Sequence, residues 1–364
     1  MNIHDTIEQA LTRAGLDTRS GPLRGVTDTI REALASAGLG TRAAHPPSTG
    51  HGAVIDVAAR EVPPPQERGD AAPDPGVAQG AGQFVARRFS HAAGTRAYKL
   101  YLPARVARAP GEALPLVVML HGCTQSADDF AAGTQMNRLA DAHGFLVVYP
   151  EQAAGANASR CWNWFRAEDQ VREGGEPALI AGIVQAVAAG HAVDPRRIFV
   201  AGLSAGAAMA VILGETHPEL FAAVGVHSGL PYRSASDVPS ALAAMKGRAA
   251  PAPGRVTRAV PTIVFHGDRD HTVQHSNGDR IAEQARAQQA LQARSETDTA
   301  PGGRRYTRTL HADAGGRPRV ELWTLHGAGH AWSGGHASGS YTDGTGPDAS
   351  AEMLRFFLAQ RPPG

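Results

Sequence analysis

The chain of 364 residues holds only two cysteines, Cys123 and Cys161, and only two lysines, Lys99 and Lys246. Two cysteines are too few for a disulfide scaffold, and their spacing suits no zinc site. The basic residues are therefore almost all arginine, and they balance the acidic ones to a formal net charge of +1. No polybasic run occurs, which removes the electrostatic case for a nucleic acid or an anionic membrane as partner. No apolar run approaches the roughly 20 residues needed to span a bilayer. The first 21 residues lack a basic segment followed by an apolar one, so no Sec signal peptide is expected there. Their acids and bases balance, against a transit peptide. The cytoplasm is the expected location. Aromatic residues make up only 5% of the chain, so any cluster of them is informative.

Apolar residues make up 42% of the chain, enough for the core of one large domain with an appendage. Residues 1–43 contain an internal repeat in which 5–16 match 28–39. Each copy opens on residues able to cap a helix, spaces an Ile and a Leu four apart and ends on Gly, as a helical hairpin would. Ile7, Leu11 and Ala14 share one face of the first copy, and Ile30, Leu34 and Ala37 share one face of the second. The hairpin is read either as packing on the main domain or as a docking or oligomerisation element. Residues 44–82 are rich in Pro, Gly and Ala and read as a linker. A third segment, 83–364, carries the regular patterning.

Residues 84–90 and 96–102 alternate polar and apolar positions around Gly94, as a hairpin would. Residues 116–120, 145–149, 198–201, 222–227, 262–265 and 320–325 are apolar runs expected as strands buried on both faces. Helical spacing covers 128–143, 177–189, 279–293 and 348–360. Strand–helix alternation over this length predicts an α/β fold, with a mostly parallel central sheet flanked by helices.

Chemistry enters at Gly202-Leu203-Ser204-Ala205-Gly206. This Gly-x-Ser-x-Gly turn joins the 198–201 strand to a run of small residues, the nucleophile-elbow pattern of a serine hydrolase. Gly202 and Gly206 stand where a Cβ would clash, and the following helix aims its N–H groups at a forming oxyanion. In an α/β-hydrolase fold, for which eight strands are expected here, the acid and then the base follow on loops after later strands. His330 lies past the last strand in a glycine-rich loop, with His326 as second choice. Asp270 fits the His-Gly-x-x-Asp-x-x-Val spacing after the 262–265 strand, with Asp268 as the alternative and His266 as a packing residue. The oxyanion donors expected are the N–H of Ala205 and that of Cys123, in the loop after the 116–120 strand. Neither a metal nor an organic cofactor is needed for this chemistry. Trp162 and Trp164 form an aromatic cluster, and Trp332 follows the proposed base. These tryptophans are read either as core anchors or as walls of the substrate pocket. Cys161 either pairs with Cys123 or stays reduced in a cytoplasm.

Five stretches together carry a family resemblance: 120–130 (LHGCTQSADDF), 144–152 (GFLVVYPEQ), 161–165 (CWNWF), 202–206 (GLSAG) and 329–335 (GHAWSGG). Through them the chain resembles the poly(3-hydroxybutyrate) depolymerase family of esterases over roughly residues 84–360. The resemblance implies ester hydrolysis through an acyl-enzyme on Ser204, Asp270 and His330. It also implies Cys123 at the oxyanion hole and tryptophans near the substrate groove. The family includes feruloyl and acetylxylan-type esterases, so the substrate stays open between polyester and other esters. Secreted polymer-degrading members carry a signal peptide and a polymer-binding domain. With neither visible, an intracellular role on amorphous granules or soluble esters is expected, and a secreted or periplasmic one is the alternative. A non-catalytic granule-binding protein is the remaining reading, with the repeat of residues 1–43 doing the docking.

Overall fold

The structure, a computed structural model, describes residues 82–104, 111–248, 259–287 and 289–360. The expected hairpin of residues 1–43 and the linker of 44–82, but for Gly82, lie outside the described residues.

The amino-terminal hairpin forms as the alternation predicts. Strand β1 (Gln83–His91) pairs antiparallel with β2 (Gly94–Leu102), and Gly94 makes the turn at φ 128°. The buried apolar runs become β3 (Leu114–Leu120), β4 (Leu146–Pro150), β5 (Val193–Leu203), β6 (Ala223–His227), β7 (Thr262–Gly267) and β10 (Pro318–Leu325). Between β7 and β10 stand two strands that hydropathy misses, β8 (Gln292–Thr299) and β9 (Arg305–Ala312). Every residue of β8 is exposed, so its sequence has no apolar alternation to read. The sheet therefore has ten strands, not the expected eight, in the order β1-β2-β4-β3-β5-β6-β7-β10-β9-β8. Pairing is parallel from β4 through β3, β5, β6 and β7 to β10, and antiparallel at both edges. Two short strands, β11 (Trp332–Ser333) and β12 (Thr342–Asp343), pair separately.

The helices are α1 (Ala127–Thr134), α2 (Met136–His143), α3 (Gly175–Gly190), α4 (Ala205–Thr216), α5 (Val238–Met245), α6 (Ser276–Arg286) and α7 (Ala349–Ala359). The single helix expected over 128–143 is two, because Gln135 turns left-handed at φ 54° between them. The helix expected over 279–293 stops at Arg286, and its last residues already belong to β8.

Strand alternation divides the core into two layers. Leu116, Val118 and Leu120 share one cluster with Ile180, Met209 and Leu213 of α3 and α4. Val117 and Met119 share the other with Phe130, Leu139 and Phe357 of α1, α2 and α7. A strand with both faces covered must be apolar at every position, and all seven residues of β3 are buried. The central strands are thereby fixed in register, and their carboxyl ends open onto one set of loops.

Candidate active site

Ser204 sits at the carboxyl end of β5, in the turn to α4. Its backbone is held at φ 56°, ψ −119°, a conformation that costs a non-glycine residue on the order of 1–3 kcal/mol. Its own N–H donates to His227 O at 2.9 Å, tying the turn to β6. The flanking glycines are required by contact. A Cβ on Gly206 would lie 2.1 Å from Leu120 O, and one on Gly202 would lie 2.4 Å from Gly206 C. Ala205 is the first residue of α4, so its N–H is among the helix N-terminal groups that lack an intrahelical acceptor.

The loop after β3 covers the same spot. A Cβ on Gly122 would lie 3.6 Å from Ser204 Cβ. Three of this loop's N–H groups are committed. Gly122 N donates to Gln125 Oε1 at 2.9 Å, Thr124 N to Ser159 O at 2.7 Å and Gln125 N to Gly122 O at 3.4 Å. Cys123 N has no acceptor among the described residues, which suits the second donor of an oxyanion hole. Cys123 is disulfide-bonded to Cys161, so the pairing left open by the sequence is formed.

Asp270 and His330 meet across 60 residues of chain: His330 Nδ1 donates to Asp270 Oδ2 at 2.7 Å. The other carboxylate oxygen, Oδ1, accepts from Thr272 N at 3.0 Å and Val273 N at 2.8 Å. Burial alone pushes this carboxyl up. The His330 hydrogen bond and charge outweigh it, helped by the Val273 N–H, and hold Asp270 below the usual carboxylate range. A buried, ionised carboxylate fixes the imidazole tautomer and leaves Nε2 as the proton acceptor.

The alternatives are occupied elsewhere. His326 Nδ1 lies 3.0 Å from Asp268 Oδ2 and its Nε2 lies 2.9 Å from Thr307 Oγ1. Asp268 Oδ1 also accepts from Gly327 N at 2.7 Å, so this pair clamps the loop after β7 to the loop after β10. His266 is buried, its Nε2 2.9 Å from Val273 O, a packing position as expected.

Trp162, Trp164 and Trp332 are all buried, as the reading of them as core anchors expects. Trp162 is fully buried and donates its Nε1–H to His121 O at 3.1 Å. Trp332 is equally buried, donates to Ser350 Oγ at 3.1 Å and stacks on His227. Each indole finds a polar partner inside the protein, as a buried tryptophan must. Trp164 is also buried and packs edge-on against Phe165.

Sequence reasoning missed the polar groups that hold the site. His227 is fully buried and accepts Ser333 N–H at Nε2, 3.0 Å away, which anchors the segment after His330. His121 lies between Gly122 O, 2.7 Å from Nδ1, and Gln152 N, 3.1 Å from Nε2. Gln125 reaches from Gly122 N to Asp129 and Ser340. Lone polar residues in apolar stretches carry no periodic signal. Among the described residues no helix is long and apolar enough to cross a membrane.

A mostly parallel sheet with a strained serine at the end of a central strand and a carboxylate–imidazole pair on later strand-end loops fits the α/β-hydrolase fold. The solved acetyl xylan esterase of Aspergillus awamori shares it, with a TM-score of 0.60 at 19% identity over 77% of this chain and 100% of that one. The family model described as Esterase PHB depolymerase matches residues 96–309, and the chain belongs to that family. Poly(3-hydroxyalkanoate) depolymerase C of Paucimonas lemoignei is 35% identical over 59% of this chain and 54% of its own length. The poly(3-hydroxybutyrate) depolymerase of Ralstonia pickettii is 28% identical over 67% of this chain and 54% of its own. The acetylxylan esterase of Coprinopsis cinerea is 30% identical over 64% of each. The chain thus spans about half the length of the two depolymerases it matches.

Proposed function

We propose that the chain is a serine carboxylic-ester hydrolase acting on polyester or oligoester bonds of the poly(3-hydroxybutyrate) type. The observation that carries this reading is the 2.7 Å bond from His330 to the buried Asp270, on loops of the sheet end where Ser204 sits strained in its turn. Ser204 Oγ attacks the ester carbonyl carbon while His330 Nε2 takes its proton. The carbonyl oxygen becomes an oxyanion held by the N–H groups of Ala205 and Cys123. As the C–O bond breaks, His330 returns the proton to the leaving alkoxide and an acyl-Ser204 remains. Water, deprotonated by His330, then releases the acid and restores Ser204.

Replacing Ser204 with Ala tests this. Turnover of p-nitrophenyl butyrate and of 3-hydroxybutyrate oligomers is expected to fall by on the order of a million-fold. Substantial residual activity at the same protein concentration sinks the reading. A second reading, an acetylxylan-type esterase, is favoured by the similarity to the Coprinopsis cinerea enzyme. Rates on hydroxybutyrate oligomers, acetylated xylan and ethyl ferulate, compared side by side, separate the two.

The Cys123–Cys161 disulfide supports a periplasmic or secreted location over the cytoplasmic one, because cytoplasmic thiols are kept reduced. Alkylating intact cells before lysis reads the thiol state directly, and free thiols there favour the cytoplasm. The repeat of residues 1–43 supports a docking or oligomerisation role. Unchanged granule binding and assembly state after deletion of residues 1–80 excludes it.

A further inference from the structure

Tyr341 is one of five large apolar side chains exposed among the described residues, and its contacts reach the candidate site from both sides. Its carbonyl accepts Trp332 N–H at 2.7 Å, two residues past His330. Its hydroxyl lies 3.3 Å from Thr124 Oγ1, one residue past Cys123. Tyr341 therefore bridges the segment just past His330 and the loop that carries Cys123, with its ring exposed.

Both partners are strained. Tyr341 has φ 52° and Thr124 has φ 65°. A bulky aromatic or β-branched residue in the left-handed region is an outlier that glycine or asparagine would relieve. Neighbouring bonds enforce both conformations. Ser340 donates through N and Oγ to Asp129 at 2.8 and 2.6 Å, and Thr124 N–H is bound to Ser159 O. In these conformations the two hydroxyls meet between the loop that carries Cys123 and the segment past His330.

The proton count decides their roles. Thr124 Oγ1 already donates to Cys123 O at 2.6 Å, so in this contact it accepts and Tyr341 donates. A separation of 3.3 Å is long for a hydroxyl pair, whose usual distance is about 2.7–2.8 Å. The phenol O–H is thus weakly held and free to exchange Thr124 for a better acceptor. A polyester of hydroxy acids offers a carbonyl oxygen on every unit and no donor along its chain. A donor there suits such a chain, and a simple monoester has no second carbonyl to meet it.

We propose that Tyr341 is a substrate-binding residue whose hydroxyl donates to the carbonyl of the ester unit next to the scissile one, with its ring covering that unit. This deepens the ester-hydrolase reading and rests on it. It also moves substrate contact from the buried tryptophans to an exposed tyrosine.

The test compares kcat/KM on a 3-hydroxybutyrate trimer with kcat/KM on p-nitrophenyl acetate, as a ratio within each protein. The ratio cancels any loss of folded enzyme. Tyr341→Phe is expected to lower the ratio about fivefold, the weight of one neutral hydrogen bond. Tyr341→Ala lowers it further, by on the order of fiftyfold, because the ring contact goes as well. Ratios unchanged within about twofold in both variants overturn the proposal, since a lost hydrogen bond exceeds that. So does a Phe variant that matches wild type while only the Ala variant falls. Wild-type enzyme that cleaves the acetate but no oligoester overturns the proposal together with the polyester specificity, and leaves standing only a serine ester hydrolase of other esters. Wild-type enzyme that cleaves no ester overturns both.

Discussion

Asn163 gives both its backbone N–H and its side-chain amide to the Glu176 carboxylate, at 2.7 and 2.8 Å. Glu176 is buried and also accepts from Gln152 and from Arg96. Asn163 stands between Trp162 and Trp164, two residues past the disulfide to Cys123, so this carboxylate anchors the loop that the disulfide ties to Cys123. Burial pushes the Glu176 carboxyl up, as does the Asp169 charge beside it, and the hydrogen bonds oppose both. Glu176→Ala strands several buried donors and is expected to cost about 3–5 kcal/mol, the usual result of deleting one partner of a buried ion pair. Glu176→Gln keeps the shape and is expected to cost less. Urea unfolding of the two variants reads the difference, and equal midpoints for Ala and wild type contradict the anchoring role.

Asp270→Asn leaves the loop in place but offers His330 an amide where the carboxylate was. The imidazole then loses the partner that holds its tautomer, and kcat is expected to fall on the order of 10⁴-fold. KM should change little. Steady-state kinetics on p-nitrophenyl butyrate measures both. A KM effect larger than the kcat effect points to a binding role instead.

Gly206→Ala drives a methyl group against the backbone of Leu120 and His121, which no rotamer can relieve. The expected loss is at least about 3 kcal/mol. A thermal melt shows it, and soluble protein melting near wild type is inconsistent with the contact. Gly329 has nothing within 4 Å of its Cβ position, so Gly329→Ala is the matched control and should melt near wild type.

His227 resists protonation. Burial lowers its pKa from 6.5 to about 3, assisted by His266 and His330 and opposed by Asp270 and Asp343. The unfolded chain binds the proton more tightly than the folded one. The contribution is therefore complete above pH 6.5 and drains away as pH falls toward 3, at about 1.4 kcal/mol per pH unit. His227→Gln is expected to be less stable at pH 7.5 and to show a shallower acid slope. Parallel slopes for variant and wild type between pH 6.5 and 4 contradict this.

Glu215 titrates the other way. It borders a small apolar cavity beside Val211, Val224, Val260 and Ile281, and burial pushes its carboxyl up to about 7. The folded state holds its proton more tightly, so the contribution is complete below pH 4.5 and lost as pH rises through 7. Glu215→Gln should match wild type near pH 4 and exceed it at pH 8 by on the order of 2 kcal/mol. Denaturation curves at the two pH values decide it.

Much of this architecture is legible because its causes are local. A strand covered on both faces must be apolar throughout, so β3 to β7 and β10 declare themselves. An elbow needs glycine on both sides of Ser204 whatever surrounds it. The order of strand-end loops then points to the loops that carry Asp268 and Asp270, and His326 and His330, without choosing within either. What hydropathy misses has no apolar face: β8 lies wholly exposed at the sheet edge and is held by backbone pairing to β9.

The sequence by itself determined the parallel sheet and the Gly-x-Ser-x-Gly turn that strains Ser204. Only the tertiary structure decided that Asp268 clamps His326 while Asp270 takes His330. It also decided that Cys123 and Cys161 join, and that Trp162 and Trp332 face inward. Tyr341, an unremarkable residue in a Gly-Ser-Tyr-Thr stretch, is exposed and meets Thr124. Period and turn chemistry are written within a few residues, whereas a partner's identity depends on which loops the sheet brings together. Here those loops lie up to 217 residues apart, the separation of Thr124 and Tyr341.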